Sequence, residues 1–380
     1  MRSVLRSRAP RGLALASVCT VAFAACTHEL VGPDPDDPPA SPVLVDLPSL
    51  PYPVLSTYRF FVGELDQLEP NTGVLPFAPI NTLFTDYAHK NRFVWMPAGA
   101  QASYVSDHEQ LAFEEGTVLI KNFWYDNTAP DGERRIIETR LMFRRNGAWE
   151  FANYIWNPEQ TEAHLDMDGG YVPIAWTDSE HGTMSTTYRI PSASECFTCH
   201  KVNTDPLPIG PKPRNLNVDM AYPDGTMNQL ARWVQEGYLA PGFPSGIQAT
   251  PDWMETSLPV EDRVRGYLDI QCAHCHSDER HCDYRPLRLA FQDTQDPVNL
   301  GVCVLPDDPI DASVTHIVAA GDTTRSMMHL RLSSTDGSVR MPLLGRTLVH
   351  REGLAVINEW ISSLGPPCPY PIEPMAMTPS

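Results

Sequence analysis

The stretch RRIIETRLMFRRNGAWEFANYIWN, residues 134–157, predicts two β-strands joined by a tight turn. Its two halves are rich in β-branched and aromatic residues, which favour strands. The Asn-Gly dipeptide at 146–147 is typical of a two-residue hairpin turn. The preceding segment TVLIKNFWY, residues 117–125, has the same strand-like composition. We therefore predict that residues 45–190 form an all-β, antiparallel, sandwich-like domain.

The character of the chain changes after residue 190, where short helices and loops are expected. The segment 227–239 places apolar residues on one helical face, and REGLAVINEWISSLG, residues 351–365, predicts an amphipathic helix. The 37 prolines of the chain favour many loops between such elements. Two small, mainly α-helical domains and a disordered tail are predicted after the β-domain, at 191–252, 253–366 and 367–380.

The first 26 residues have the features of a bacterial targeting segment. Four arginines precede LALASVCTVAFAA, residues 13–25, an apolar run too short to cross a bilayer as a helix. FAAC, ending at Cys26, is similar to the lipobox of bacterial lipoproteins, whereas AFA at 22–24 would suit ordinary cleavage. We expect lipidation at Cys26, a disordered linker at 27–44, and a periplasmic or outer-membrane lipoprotein in a Gram-negative cell envelope.

The chain carries a formal net charge of −19 at pH 7. A nucleic acid or an anionic membrane surface would repel such a protein. No later run of the sequence approaches the length of a membrane-spanning helix. The expected contact with the membrane is therefore the lipid anchor only, and nucleic acid is not an expected partner.

Two copies of the pattern C-x-x-C-H occur among the nine cysteines, at 196–200 and 272–276. In this pattern, two thiols one helical turn apart can bond the vinyl groups of a haem, and the histidine that follows can ligate the iron. We therefore predict two covalently bound haem c groups. The predicted attachment residues are Cys196 and Cys199 with His200 for the first haem, and Cys272 and Cys275 with His276 for the second.

Other uses of paired cysteines stay open at this point. A zinc site made from two C-x-x-C units normally separates them by about 12–20 residues, whereas residues 200–271 intervene here. A redox dithiol does not need the following histidine, and a disulfide within C-x-x-C is strained and seldom structural. Haem attachment requires export, which the targeting segment supplies independently.

A methionine often supplies the second axial ligand of a haem in an electron carrier. Met341, in RMPLLGR at 340–346, is predicted to ligate the second haem, because proline and glycine fix a loop there. No second ligand is assigned to the first haem: a residue of the β-domain could supply it, or the iron could be five-coordinate. The methionines near its motif are interpreted as packing residues: Met184, Met220, Met227 and Met254.

Two of the remaining cysteines, Cys282 and Cys303, are predicted to form a disulfide, because the compartment is oxidising. Cys368 is expected to be exposed, and no partner is assigned to it. Four further residues of the haem region are expected to face solvent by default, although the two arginines could pair with haem propionates: His274, His281, Arg331 and Arg346.

Several segments together resemble a family of exported bacterial dihaem c-type cytochromes: IETRL, YIWNPEQTEA, ECFTCH, IGPKPRNLN, YLDIQCAHCH, MPLLGR and VHREGLAVINEWI. The resemblance covers most of residues 80–365. It implies two covalent haems at the two motifs and a Met-Pro loop matching Met341, the second unit being like a class I cytochrome c. It also implies a possible partner, a parallel β-helix protein encoded nearby. A glycine-rich loop of the family is replaced here by SDERHCDY, residues 277–284.

The expected function is electron transfer in the cell envelope between this dihaem protein and a redox partner protein. Apart from the haems, no group of residues in the sequence demands catalysis, so an electron carrier is favoured over a catalyst. Two alternatives remain open. One is a haem enzyme, peroxidase-like or oxidase-like, with a single reactive haem; the other is a β-domain binding module that uses the haems as an electron inlet.

Overall fold

An antiparallel sheet of eight strands is the largest element of the structure, a computed structural model that describes residues 42–369. The strands, including those of four two-stranded ribbons, are β1 Phe61–Val62, β2 Glu69–Pro70, β3 Leu75–Pro76, β4 His89–Trp95, β5 Ala102–Ser103, β6 Ala112–Phe113, β7 Val118–Thr128, β8 Glu133–Arg145, β9 Ala148–Trp156, β10 Ala163–Leu165, β11 Gly170–Asp178, β12 Gly182–Ile190, β13 Lys201–Val202, β14 Asp205–Pro206, β15 Asp219–Tyr222 and β16 Gly225–Asn228. The order in the large sheet is β10-β9-β8-β7-β11-β12, with β4 also paired to β7 and β3 to β4.

The hairpin that the sequence predicts at 134–157 is confirmed. Strands β8 and β9 pair antiparallel up to the contact of Arg145 with Ala148. The two turn residues, Asn146 and Gly147, both have positive φ, at 54° and 76°. This is the conformation that a two-residue hairpin turn of the mirror-image type requires, and Asn-Gly adopts it at little cost.

The sandwich-like arrangement predicted for 45–190 is not observed, because the second layer is not a second sheet. One face of the large sheet packs against the irregular N-terminal segment, which contributes Leu50, Tyr58 and Phe60. The other face packs against residues that follow the sheet in sequence, among them Leu216 and Trp233. Both faces of the central strands are therefore buried.

The α-helices of the described part of the chain are α1 Ala193–Cys199, α2 Pro213–Leu216, α3 Gln229–Gln235, α4 Val260–Gln271, α5 Met327–Ser333 and α6 Arg351–Ser363. Only α4 and α6 are longer than seven residues. The prediction of two small, mainly α-helical cytochrome c-like haem domains is therefore wrong. Loops dominate because the chain is rich in proline, which a helix interior does not accommodate.

The predicted first haem unit, 191–252, shares its apolar core with the sheet. Leu216, Leu230 and Trp233 are buried in the same cluster as Leu119 and Met142 of strands β7 and β8. By contrast, α4, α5 and α6 pack together in a separate cluster. The described residues belong to one compact unit, and the domain boundaries at 190 and 252 stay predictions.

The targeting segment, Cys26 and most of the linker lie outside the described residues, as does the chain from residue 370 onward. Within residues 42–369, none of the helices combines the length and the apolar character that crossing a bilayer would require.

The disulfide predicted between Cys282 and Cys303 is wrong. Cys303 is bonded instead to Cys368, with an S–S distance of 2.05 Å. The Cys282 thiol is free and buried, and its backbone amide donates to the carbonyl of Cys275 at 2.9 Å. That bond holds Cys282 against the second C-x-x-C-H motif, whereas Cys303 and Cys368 both lie beside Val318.

Replacing Cys368 with serine is expected to lower the free energy of unfolding by about 2–4 kcal/mol, because the disulfide closes a long loop. The two cysteines are 65 residues apart in sequence. Thermal unfolding measures the loss, with Cys282→Ser as the matched control that should leave the disulfide intact. Recovery of a Cys282–Cys303 cross-linked peptide from the non-reduced protein would contradict the assignment.

Candidate functional site

The two C-x-x-C-H motifs form the same local turn. The amide of His200 donates to the carbonyl of Cys196 at 2.9 Å, and the amide of His276 donates to that of Cys272 at 2.9 Å. Each is an i to i+4 bond, so the first cysteine and the histidine lie one helical turn apart in both motifs. The first motif ends α1 and the second directly follows α4.

The fold brings the two motifs into contact. The ligand atoms of Cys199, His274 and Cys275 all lie within 4.8 Å of one another. The Cys275 thiol also faces the carbonyl oxygen of Thr198, at 3.6 Å. The two motifs are therefore far apart in sequence but adjacent in the structure, where they form one centre.

Hydrogen bonding at His200 leaves one ring nitrogen free to act as a ligand. Its Nδ1 lies 3.0 Å from the carbonyl oxygen of Leu207, so Nδ1 carries the proton and Nε2 presents its lone pair. Burial lowers the pKa of His200 to about 4, which keeps the ring neutral near pH 7. The ring packs edge-on against Phe151 of strand β9, with centroids 5.6 Å apart.

The two cysteines and the histidine of the first motif line one cavity. Cys196, Cys199 and His200 form part of its wall, together with His274 of the second motif. Apolar side chains from the sheet and from later segments make up much of the rest: Phe77, Leu119, Met142, Phe151, Ile209 and Ile270. An apolar cavity with two thiols and a neutral imidazole matches the needs of a covalently attached haem.

Three basic side chains lie side by side in the floor of the cavity. Arg92, Lys121 and Arg140 lie side by side on strands β4, β7 and β8 and all line the cavity; we call them the cationic row. Burial lowers the pKa of Lys121 well below its usual range and that of Arg92 to about 10. Sequence reasoning missed this row, although charged residues inside otherwise apolar strands are a visible signal.

The second motif offers the same donor types in a buried setting. Burial raises the pKa of the Cys272 thiol to about 12 and lowers that of His276 to about 4, so that His276 is neutral near pH 7. In the described chain, Nδ1 of His276 is buried without a hydrogen-bond partner. A neutral imidazole with an unused nitrogen is suited to a metal ligand.

The thiols of Cys199 and Cys275 lie side by side and influence each other's pKa. A hydrogen bond from the Cys275 thiol lowers the pKa of Cys199 well below its usual range and raises that of Cys275. The nearby ring of His274 lowers the pKa of Cys199 further. Of the two thiols, Cys199 is the one whose surroundings favour the thiolate, the form of cysteine that reacts and binds metals.

His274 differs from its expected solvent-facing position, since only 7% of it is exposed. Its ring lies against Cys199 and Cys275, and its Nδ1 has no hydrogen-bond partner among residues 42–369. The sequence shows His274 only as a variable position inside C-x-x-C-H. Its proximity to Cys199 arises from the tertiary fold, so no local signal could have identified it.

Met341 lies half-buried in the loop between α5 and α6. Its amide donates to the carbonyl of Arg331 at 3.0 Å, and its carbonyl accepts from Nε of Arg346 at 2.8 Å. Pro342 and Leu344 of the same loop line the cavity of the first motif. The Met-Pro loop thus lies beside that cavity, and ligation of the second haem by Met341 stays a prediction.

Arg346 is not the solvent-facing residue that the sequence suggested. It is 4% exposed, and its guanidinium donates to the backbone carbonyls of Met341, Arg331 and Leu348. Arg346 therefore fixes the loop. Next to it, the buried carboxylate of Asp86 accepts from the amide of Leu348 at 2.7 Å, which ties the same loop to the β-sheet region.

No family model, curated protein or solved structure matches this chain. The interpretation of the site therefore depends on its own residues and their geometry.

Proposed function

We propose that this chain is an envelope-anchored dihaem c-type cytochrome that carries electrons to or from a redox partner protein. The observation that carries the proposal is that Cys196, Cys199 and His200 line one apolar cavity, with Nδ1 of His200 held by Leu207. Bound haem would supply reversible one-electron exchange at its iron. The targeting segment and Cys26 support an envelope location.

The chain's own residues would attach and ligate the two groups. Each cysteine thiol would add across a vinyl group to form a thioether, a step that needs no external oxidant. Cys196 and Cys199 would hold the first haem and Cys272 and Cys275 the second, with His200 and His276 as iron ligands. Met341 is the proposed second ligand of the second haem.

The contact between the motifs supports exchange within the molecule. Cys199 and Cys275 touch, so the two attachment points are adjacent. The net charge of −19 supports a partner that presents a basic docking face, because opposite charges accelerate encounter. A parallel β-helix protein, the partner implied by the family resemblance, is one candidate.

The decisive test is the number of covalent haems on protein matured with a haem-attachment system. Intact mass and the pyridine haemochrome assay should both give two haems per chain. The Cys196→Ser/Cys199→Ser and Cys272→Ser/Cys275→Ser variants should each retain one, and the control Cys282→Ser should retain two. One haem or none on the unmodified chain would overturn the proposal.

A second candidate is a zinc centre, favoured by the cluster of Cys199, His274 and Cys275. Two sulfurs and one imidazole are a ligand set that zinc accepts, with a fourth position left for water. Metal analysis separates the two functions, using His274→Ala as the diagnostic variant. Zinc that is lost from His274→Ala supports the zinc centre, whereas His274→Ala with two haems and no zinc supports the cytochrome.

A further inference from the structure

The cationic row is an unusual arrangement within a sheet. Lys121 of β7 lies directly opposite Arg92 of β4 on one side and Arg140 of β8 on the other. Like charges at directly opposed positions destabilise a sheet, because their Cβ atoms are only about 5 Å apart. The row continues to Asn153 of β9, which is opposite Arg140. All four side chains line the cavity of the first motif.

Among the described residues, only one member of the row forms an ion pair with an acidic side chain. Nε of Arg140 donates to the buried carboxylate of Glu138 at 2.9 Å, and that carboxylate also accepts from the hydroxyl of Tyr188 at 2.7 Å. Within residues 42–369, no ion pair joins a carboxylate to Arg92 or Lys121. The Lys121 amine instead lies 4.7 Å from the centre of the Phe123 ring.

The carboxylates of two further acidic residues already have other partners. Glu195 lines the same cavity, but it pairs with Arg189 and accepts from the amide of Ser192 at 3.0 Å. Asp86 accepts from the amide and the hydroxyl of Thr347 and from the amide of Leu348. Neither carboxylate is therefore available to balance Arg92 and Lys121.

Asn153 provides an independent sign of a missing ligand. It is 5% exposed, and in the described chain neither its side-chain nitrogen nor its side-chain oxygen has a hydrogen-bond partner. A buried amide without partners costs free energy, and native proteins rarely leave one so. Asn153 lies next to Arg140 at the end of the row, and its unused N–H donor belongs to the same cavity lining as Lys121 and Arg92.

We infer that Arg92, Lys121 and Asn153 form a carboxylate-binding site in the floor of the first motif's cavity. Two sources have this chemistry: the propionate groups of the first haem, and a small diffusible dicarboxylate. The propionate source rests on the proposed function, whereas the site itself does not. Charge-assisted hydrogen bonds to a carboxylate would neutralise the opposed cations and satisfy Asn153.

The test compares Lys121→Gln in two full-length backgrounds. One is the matured chain, and the other is the Cys196→Ser/Cys199→Ser chain, which cannot attach the first haem. Unfolding temperature is measured in sodium succinate and in sodium chloride of equal ionic strength. The matched control is Arg134→Gln on the neighbouring strand β8, whose partly exposed side chain pairs with Asp126 of β7.

Without the first haem, succinate should raise the unfolding temperature by about 2–4 °C, and Lys121→Gln should abolish the rise. In the matured chain, a propionate source predicts no response to succinate and a lower unfolding temperature for Lys121→Gln. A diffusible source predicts that succinate stabilises the matured chain as well, in a Lys121-dependent way.

The site is overturned if succinate stabilises neither background and Lys121→Gln leaves the matured chain equally or more stable. If the double cysteine variant does not fold, the site is tested in the matured chain alone. There, Lys121→Gln should lower the unfolding temperature, whereas Lys121→Arg, which keeps a positive charge, should not. If no haem attaches to the unmodified chain, the proposed function fails. The succinate response of that chain then still tests the carboxylate site.

Discussion

Gly353→Leu is expected to lower the free energy of unfolding by about 3 kcal/mol, a cost typical of forcing a side chain into a filled core. Gly353 lies in the first turn of α6, where it faces α4. A Cβ atom at this position would lie 2.5 Å from Cζ of Tyr267, closer than real Cβ contacts occur. The measurement is the denaturant midpoint of the full chain.

The Tyr267 ring cannot move aside easily. Its hydroxyl lies 3.1 Å from Nδ1 of His350, and its ring packs edge-on against Trp253 with centroids 5.3 Å apart. Tyr267 is 3% exposed, so the ring is enclosed on all sides. A larger residue at position 353 must therefore push α6 away from α4, the helix that leads directly into Cys272.

The matched control is Ala355→Leu in the same helix. Position 355 is exposed, so added volume there should change the midpoint little. Replacing the opposing Tyr267 ring with a smaller side chain provides a second check. In a Tyr267→Leu background, Gly353→Leu should lower the free energy of unfolding by less. Equal effects of leucine at 353 and 355 would show that the contact with Tyr267 does not limit the packing of these helices.

The parts of the fold that local sequence controls were predictable. Strands β8 and β9 and their turn follow from β-branched and aromatic residues and an Asn-Gly dipeptide, all within 24 residues. The layer that covers the sheet was not predictable, because the segment with Leu50, Tyr58 and Phe60 has no strand-length pattern. Its side chains are buried by tertiary packing alone.

The helical content was overestimated for a comparable reason. The two C-x-x-C-H motifs and the amphipathic segment at 351–365 suggested the helical frame of a class I cytochrome c. The segment did form α6, and α4 did precede the second motif. Between them, however, lies a long irregular region, and the first motif packs on strand β9 rather than within a helical domain.

The candidate site likewise has features that the local sequence predicts and features that only the tertiary fold creates. Each motif is visible as five consecutive residues, and its turn is set by local hydrogen bonds. The contact of Cys199 with Cys275 and His274, and the cationic row, join residues that are distant in sequence and depend on strand register. The disulfide partner of Cys303 likewise could not be deduced by counting cysteines.

In matured protein, His200→Ala is expected to remove the iron ligand of the first haem while leaving the haem attached. Attachment depends on the cysteines, whereas ligation depends on the histidine that follows them. The pyridine haemochrome assay should therefore still give two haems per chain. The native visible spectrum should change at one of the two haems, because one of the two irons loses its imidazole.

Added imidazole should reverse this spectral change, because the position that His200 leaves in the variant opens into the cavity that His200 lines in the unmodified protein. Because burial lowers the pKa of His200 to about 4, the unmodified protein should keep its spectrum between pH 5 and neutrality. His274→Ala is the matched control, as a nitrogen of its ring lies within 4.8 Å of the Cys199 sulfur but is not placed by a C-x-x-C-H motif to ligate a haem. If His274→Ala changes the spectrum and His200→Ala does not, the assignment of His200 as the ligand fails. The cluster of Cys199, His274 and Cys275 would then be the metal-binding group of this protein.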